Sequence, residues 1–396
     1  MKTPQTSPGP VLVAFDKFKG ALAAGEACRI AASAIRGRGG AVLAEAPLTD
    51  GGEGFCAILT SAAGGTRESV EVPDPIGRTI RADLGWVDSG RLAPAARDRL
   101  GCAGDERIAV AEMASASGLP LLAGSERDPW KTSTAGTGAL LRRAVERGAD
   151  RILLGVGGSA TNDVGAGALA ALGVRFLDES GATVDPVVPG RFSGVAAVDF
   201  RDAPGLPPVV VASDVESPLL GPRGAASVFG PQKGLSDVAG MERAVERMAG
   251  LLRRGPGRSP DPDAPGMGAA GGITFGLSAL CRVRIVPGFA LFSDWMGLDE
   301  LLARADWVVT GEGRLDAGSL TGKGPVALLR AAARKGRRLA VFAGAVEEEA
   351  ASALGHELGR FHRAVLSAPG EALAESLAAT ADRLGASVGR WWESLG

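Results

Sequence analysis

The sequence predicts an α/β protein of two α/β domains. One is a parallel Rossmann-like sheet built from both chain ends, and the other is a mixed α/β domain inserted into it. Three observations lead there. Short apolar runs of branched residues alternate with helical patterns at both ends of the chain, as at Val11–Phe15 and Trp307–Thr310, which is the rhythm of βαβ units. Ser69–Val72 and Arg78–Val87, either side of Asp74-Pro75-Ile76-Gly77, instead alternate like antiparallel strands. Several strands end in glycines and charged residues, and in open α/β sheets that end binds ligands. The expected Rossmann-like domain covers residues 1–70 and 286–396, the inserted domain covers 71–285, and the active site is expected in the cleft between them.

Composition narrows the function. A chain of 396 residues with 45% hydrophobic content can build two or three cores. A net charge of −2 gives no footprint for nucleic acid or an anionic membrane surface. No apolar run approaches the ~18 residues of a membrane span, and no signal segment opens the sequence. Cys28, Cys56, Cys102 and Cys281 are scattered without a CxxC pair, which suits reduced thiols and a cytoplasmic location. His356 and His362 lie outside every glycine-rich motif, so acid–base chemistry falls to carboxylates, lysine or serine. Of 43 basic residues only 7 are Lys, and Lys17, Lys19, Lys233 and Lys323 sit in loops flanked by Gly or Pro. A compact ammonium there suits an anionic ligand.

Taken in order, Val11–Phe15 reads as a buried strand followed by a helix from Ala21 to Arg36. Val42–Ala46 is a second strand, followed by a helix from Phe55 to Ala63. Ile108–Ala111 and Arg151–Val156 are strands, and Gly136–Arg147 is the helix between them. Ala166–Leu172 continues as a helix, and Val174–Leu177 and Val209–Ala212 are strands. Leu235–Arg253 is a helix, 254–265 a surface linker, and Gly266–Gly272 opens another helix. Near Val286 the βα rhythm returns, with strands at Trp307–Thr310, Leu339–Ala343 and Ala364–Leu366. Helices are expected at Val326–Lys335 and Glu371–Trp391.

Several familiar motifs fail. Gly322-Lys323 is not a phosphate-binding P-loop, because Ala317 and Gly324 stand where Gly and Ser or Thr are needed. Gly155-Val156-Gly157-Gly158 misses the dinucleotide fingerprint at Ala160. What remains is a set of separate loops: Asp16–Gly20, Asp50–Gly54, Ser159–Asp163, Ser213-Asp214, Gly230–Gly234 and Gly311–Asp316. Each alone is ordinary turn or cap chemistry. Together they supply carboxylates for Mg²⁺, cations and N–H groups for phosphates, and a base for a hydroxyl proton, which is what phosphoryl transfer requires.

These loops resemble those of the type 1 glycerate kinases. The motifs are Asp16–Gly20 against DSFKG, Thr49–Phe55 against ADGGEGT, and Gly157–Asp163 against GGSATND, with Val164 where the family has glycine. Ser213–Pro222, Phe229–Gly234, Gly268–Gly272 and Thr310–Asp316 match SDVxNPLLGP, FGPQKG, GAAGG and TGEGRLD, with Ser217 replacing an Asn. The resemblance runs from about residue 11 to the last helix. It implies ATP-dependent phosphorylation of D-glycerate at the 2-hydroxyl with Mg²⁺. A kinase of another small hydroxy acid, formation of 3-phosphoglycerate, and a nucleotide- or sugar-acid-binding regulator that has lost turnover are the alternatives.

Within that reading, Asp214 is the expected base, with Asp50 the runner-up and Lys19 beside them. Gly157, Gly158, Ser159, Lys233, Glu312 and Lys323 are expected around ATP, with the strand–glycine loop–helix at 151–172 offering a helix N-terminus to phosphate. Lys17 and Arg314 are expected at the substrate, and Asp163 and Asp316 at the metal. Oligomeric state is not readable from the sequence.

Overall fold

The computed structural model describes residues 9–257, 260–321, 324–368 and 370–395. Along the chain the strands are β1 (Val11–Phe15), β2 (Val42–Glu45), β3 (Thr66–Pro73), β4 (Thr79–Asp88), β5 (Arg107–Glu112) and β6 (Arg151–Gly155). There follow β7 (Arg175–Leu177), β8 (Ala197–Asp199), β9 (Val209–Ala212), β10 (Val283–Val286), β11 (Trp307–Leu315), β12 (Arg338–Val346) and β13 (His362–Val365). The chain divides into two compact units, Met1–Thr49 with Phe292–Gly396, and Asp50–Leu291. The boundary expected near residue 70 therefore falls at Thr49. Helix Phe55–Ala62 packs on β4 and β5, and β3 pairs along its full length with β4, so this stretch goes with the second unit.

The first unit is one parallel sheet in the order β13-β12-β11-β1-β2. Every residue of β1 is fully buried, as expected for a parallel strand covered on both faces. Helices Ala24–Arg36 and Leu373–Glu393 cover one face, joined through Ala31, Ile35, Leu384 and Trp391. The Trp391 ring meets Phe342 and Trp307 edge-on, at centroid distances of 5.7 and 5.1 Å, a favoured aromatic geometry. Leu315, Val326, Ala343 and Leu354 form a second cluster with helices Gly324–Arg334 and Glu348–Leu358. Numbered within the unit, the strand order is 2-1-3-4-5, whose switch point lies between β1 and β11.

The second unit has a six-stranded sheet in the order β10-β9-β6-β5-β4-β3. β10, β9, β6 and β5 run parallel, and β4 and β3 complete it antiparallel. β7 and β8 form a separate antiparallel ribbon. Helix Ala135–Glu146 makes the β5-to-β6 crossover and buries Leu140, Leu141 and Ala144 against the sheet.

Candidate functional site

In the second unit, the motif loops gather at the carboxyl ends of the parallel strands. The glycine loop leaves β6 at Gly155, and Gly157 N–H donates to the Gly51 carbonyl at 2.9 Å. A Cβ on Gly157 would lie 2.7 Å from Gly52 Cα, and one on Gly155 2.6 Å from the Gly51 oxygen. Gly51 itself has φ +103°, and a Cβ there would sit 2.7 Å from the oxygen of Ala212, the last residue of β9. The Asp50–Gly54 loop, the Gly157–Ser159 loop and the end of β9 thus touch backbone to backbone, which only glycine allows. Gly158 is exposed, while Ser159 is 6% exposed and pinned by a bridge to Gly118.

Asp214 follows β9, and its Oδ2 accepts a hydrogen bond from Phe289 N–H at 3.3 Å. Gly288, which follows β10, packs against the Asp50 backbone and the Asp214 carboxylate. A Cβ there would be 3.1 Å from Asp214 Oδ2 and 2.4 Å from the Asp50 backbone oxygen. The sequence reading missed Gly288; its signal was the Pro287-Gly288 pair at a strand end.

Asp163 and Lys233 take different places from those expected. Asp163 is fully buried, and its carboxylate accepts from Thr134 N–H and Oγ1–H (both 2.8 Å), Gly167 N–H (3.1 Å) and Gly165 N–H (3.2 Å). Four donors saturate it, so its assignment to a metal is withdrawn. Burial raises its pKa and these hydrogen bonds oppose the shift. Asp163 caps the following helix, Ala166–Ala171, which is six residues long. The expected helix N-terminus therefore meets a carboxylate of the chain itself and not a ligand. Lys233 is 2% exposed, and its Nζ donates to Ser159 Oγ (2.9 Å), the Thr161 carbonyl (2.7 Å) and Asn162 Oδ1 (3.2 Å). Burial pushes its pKa down to about 7, and Asp163 counters this. Lys233 thus holds the 159–162 segment, and direct contact with a nucleotide is withdrawn.

In the first unit, the loop after β1 meets the carboxyl-terminal half of β11 at the switch point, so the Gly311–Leu315 stretch expected as a loop is strand. Asp16 N–H donates to the Gly311 carbonyl at 2.9 Å, and a Cβ on Gly313 would lie 3.1 Å from Lys19 N. Lys17 stays near Asp16, with Nζ 3.8 Å from Oδ1, and Lys19 is exposed. Glu312 is mostly enclosed, and among the described residues its Oε1 has no hydrogen-bond partner. Burial pushes its pKa up to about 7; the Ser319 hydroxyl opposes the rise, and Asp16 and Asp316 add to it. Asp316 Oδ1 accepts from Gly318 and Ser319 N–H at 2.9 and 3.2 Å, and Oδ2 lies 3.8 Å from Arg314 Nε. Arg314 pairs with Glu347 at 2.7 Å. Lys323 lies outside the described residues. Among the described residues, no group of three or more carboxylate, His or Cys side chains forms a metal cage.

The model of the glycerate kinase family matches residues 11–393. The chain belongs to the glycerate kinase family. Among its relatives, a Bacillus subtilis glycerate kinase is 38% identical over 335 residues, 81% of each chain. The glycerate 2-kinase of Escherichia coli is 32% identical over 350 residues, 86% of each chain. A solved structure from Salmonella typhimurium LT2, assigned as glycerate kinase 2, superposes with a TM-score of 0.74 at 32% identity over 98% of both chains. Family membership makes the protein a kinase, a phosphotransferase acting on an alcohol group, and the two-unit α/β fold is the one this structure shares.

Proposed function

We propose that the protein transfers the γ-phosphoryl group of ATP to the 2-hydroxyl of D-glycerate, giving 2-phosphoglycerate and ADP. The observation that carries the reading is the gathering of acid and glycine loops at the carboxyl ends of both sheets, in a chain of this family. The name of the Escherichia coli relative supports the 2-position. Gly157, Gly158 and Ser159 present a backbone turn and a hydroxyl suited to phosphate oxygens, and Gly158 is open to a ligand. Asp214, with Asp50 beside the same glycine, is the general base. It takes the hydroxyl proton as the glycerate oxygen bonds to the γ-phosphorus and the bond to the bridging oxygen of ADP breaks. Lys17, Lys19 and Arg314 supply cations for the phosphates or the glycerate carboxylate.

Mg²⁺ fits this donor set. It is usually held by one or two carboxylates together with waters and nucleotide phosphates, so no three-carboxylate cage is required. Asp316, through Oδ2, and Glu312, whose Oε1 has no hydrogen-bond partner among the described residues, are the groups that would hold it. When bound, it would neutralise charge on the transferring phosphate. A cytoplasmic location accords with the four unpaired cysteines.

The test is incubation of the purified protein with ATP, Mg²⁺ and D-glycerate, following ADP release and the ³¹P NMR spectrum of the product. A 2-phosphoglycerate resonance is expected. A 3-phosphoglycerate resonance would move the transfer to the other hydroxyl, and a higher kcat/KM for a different hydroxy acid would replace the substrate.

A further inference from the structure

We propose that Lys233 is a positioning residue, whose buried ammonium fixes the Ser159–Asn162 segment and turns the Ser159 hydroxyl into a donor for an anionic ligand. The inference rests on the reading above in one respect, that the ligand at Ser159 is a phosphate of ATP. An ammonium has three N–H donors and no acceptor. Lys233 spends all three on one short segment: Ser159 Oγ, the Thr161 carbonyl and Asn162 Oδ1, at 2.9, 2.7 and 3.2 Å. All three partners can accept, which matches the protonated lysine. The side chain is driven inward by its own turn. Pro231–Lys233 is a single 3₁₀ turn ended by Gly234 at φ +94°, where a Cβ would fall 2.3 Å from the Arg127 carbonyl oxygen.

The consequence for Ser159 follows from hydroxyl chemistry. A serine oxygen offers one proton and two lone pairs. With Lys233 donating to a lone pair, the proton must point away from the ammonium. Gly118 bridges the same residue on its backbone side, and the neighbouring Gly158 is exposed. The serine therefore presents a hydrogen-bond donor beside an exposed glycine turn, and an anion is the partner that rewards it. The acceptor-only carboxylate of Asp163, saturated by its own four donors, leaves Lys233 as the group that sets this polarity.

The experiment is a double-mutant cycle with Lys233→Met, Ser159→Ala and the double variant. For each, ATP affinity is measured by calorimetry, KM is measured for both substrates, and Tm is recorded. Each single variant should weaken ATP binding roughly tenfold or more, and the double variant should be no worse than the weaker-binding single one. Non-additive losses in KM for D-glycerate with ATP affinity intact would uphold the positioning role and overturn the assignment of this loop to the nucleotide. Losses that multiply in the double variant, or a Lys233→Met protein with lowered Tm and wild-type affinity for both substrates, would overturn the positioning role. Should Lys233→Met fail to fold, the same cycle is run with Lys233→Gln. Ser159→Ala with wild-type affinity for both substrates overturns the proposal by itself.

Discussion

Glu312 carries its carboxyl where charge is disfavoured, and this has a measurable sign. Burial raises its pKa from the ordinary 4.5 to about 7, so between those values the folded state holds a proton that the unfolded chain releases. Stability should therefore fall as pH rises through that window, by on the order of 2 kcal/mol from this residue. Thermal melts at pH 5 and pH 8 should show the fall in the wild type and a smaller one in Glu312→Gln. Asp214→Asn keeps the side-chain shape and removes the proton acceptor. It should lower kcat by roughly 10²-fold or more while ATP still binds; a variant with wild-type turnover would pass the role to Asp50. Val164 is a residue with a visible cost. It is fully buried at φ +54°, a region disfavoured for a β-branched side chain, at the position where the family motif carries glycine.

At the scale of elements, the strands that form the buried centre of each sheet were readable because they are unbroken apolar runs: all of β1, β6 and β9 is buried. The elements that were missed have weaker signals. β10 alternates valine and isoleucine with arginine on a half-exposed edge, and β11 runs on through Gly311–Leu315, whose glycines read as a loop. Tertiary pairing decides that case, since Arg314 and Leu315 align with Ala345 and Val346 of β12. The motif residues were legible as a set, but their partners were not. Nothing local in Phe229–Gly234 says that Lys233 reaches Ser159, 74 positions away, or that Gly288 packs against both the Asp50 backbone and Asp214. For the same reason Asp163 read as a ligand: the four donors that saturate it come partly from Thr134, remote in sequence. Two glycines test the close approaches. In Gly311→Ala the new Cβ would lie 1.8 Å from the Phe342 carbonyl oxygen, and a loss of about 2 kcal/mol or more is expected in denaturant melts. Gly51→Ala faces both its positive φ and the Ala212 oxygen; steady-state kinetics should show a loss of kcat/KM larger than its change in Tm implies.

Over the whole molecule, the thiols are quiet. Burial pushes Cys28, Cys56 and Cys281 up to about 12 and also raises Cys102. Since the thiolate is the reactive form, a disulfide reagent at pH 8 should label the native protein slowly and the urea-unfolded chain quickly. Fast labelling of Cys28 or Cys56 in the native protein would mean that the cores around them open. The division of the chain into a split unit and a continuous one has a further consequence, for the order in which the protein is born. β1 is hydrogen-bonded on one side to β11, so a ribosome that has delivered Val11 must still deliver the chain as far as Trp307 before that partner exists. The unit spanning Asp50–Leu291 has no such wait, because its strands all lie within it. Domains tend to fold as units during synthesis. On nascent chains arrested after Leu291 has emerged, a protease pulse should spare the middle of the chain and still cut the segment before Thr49.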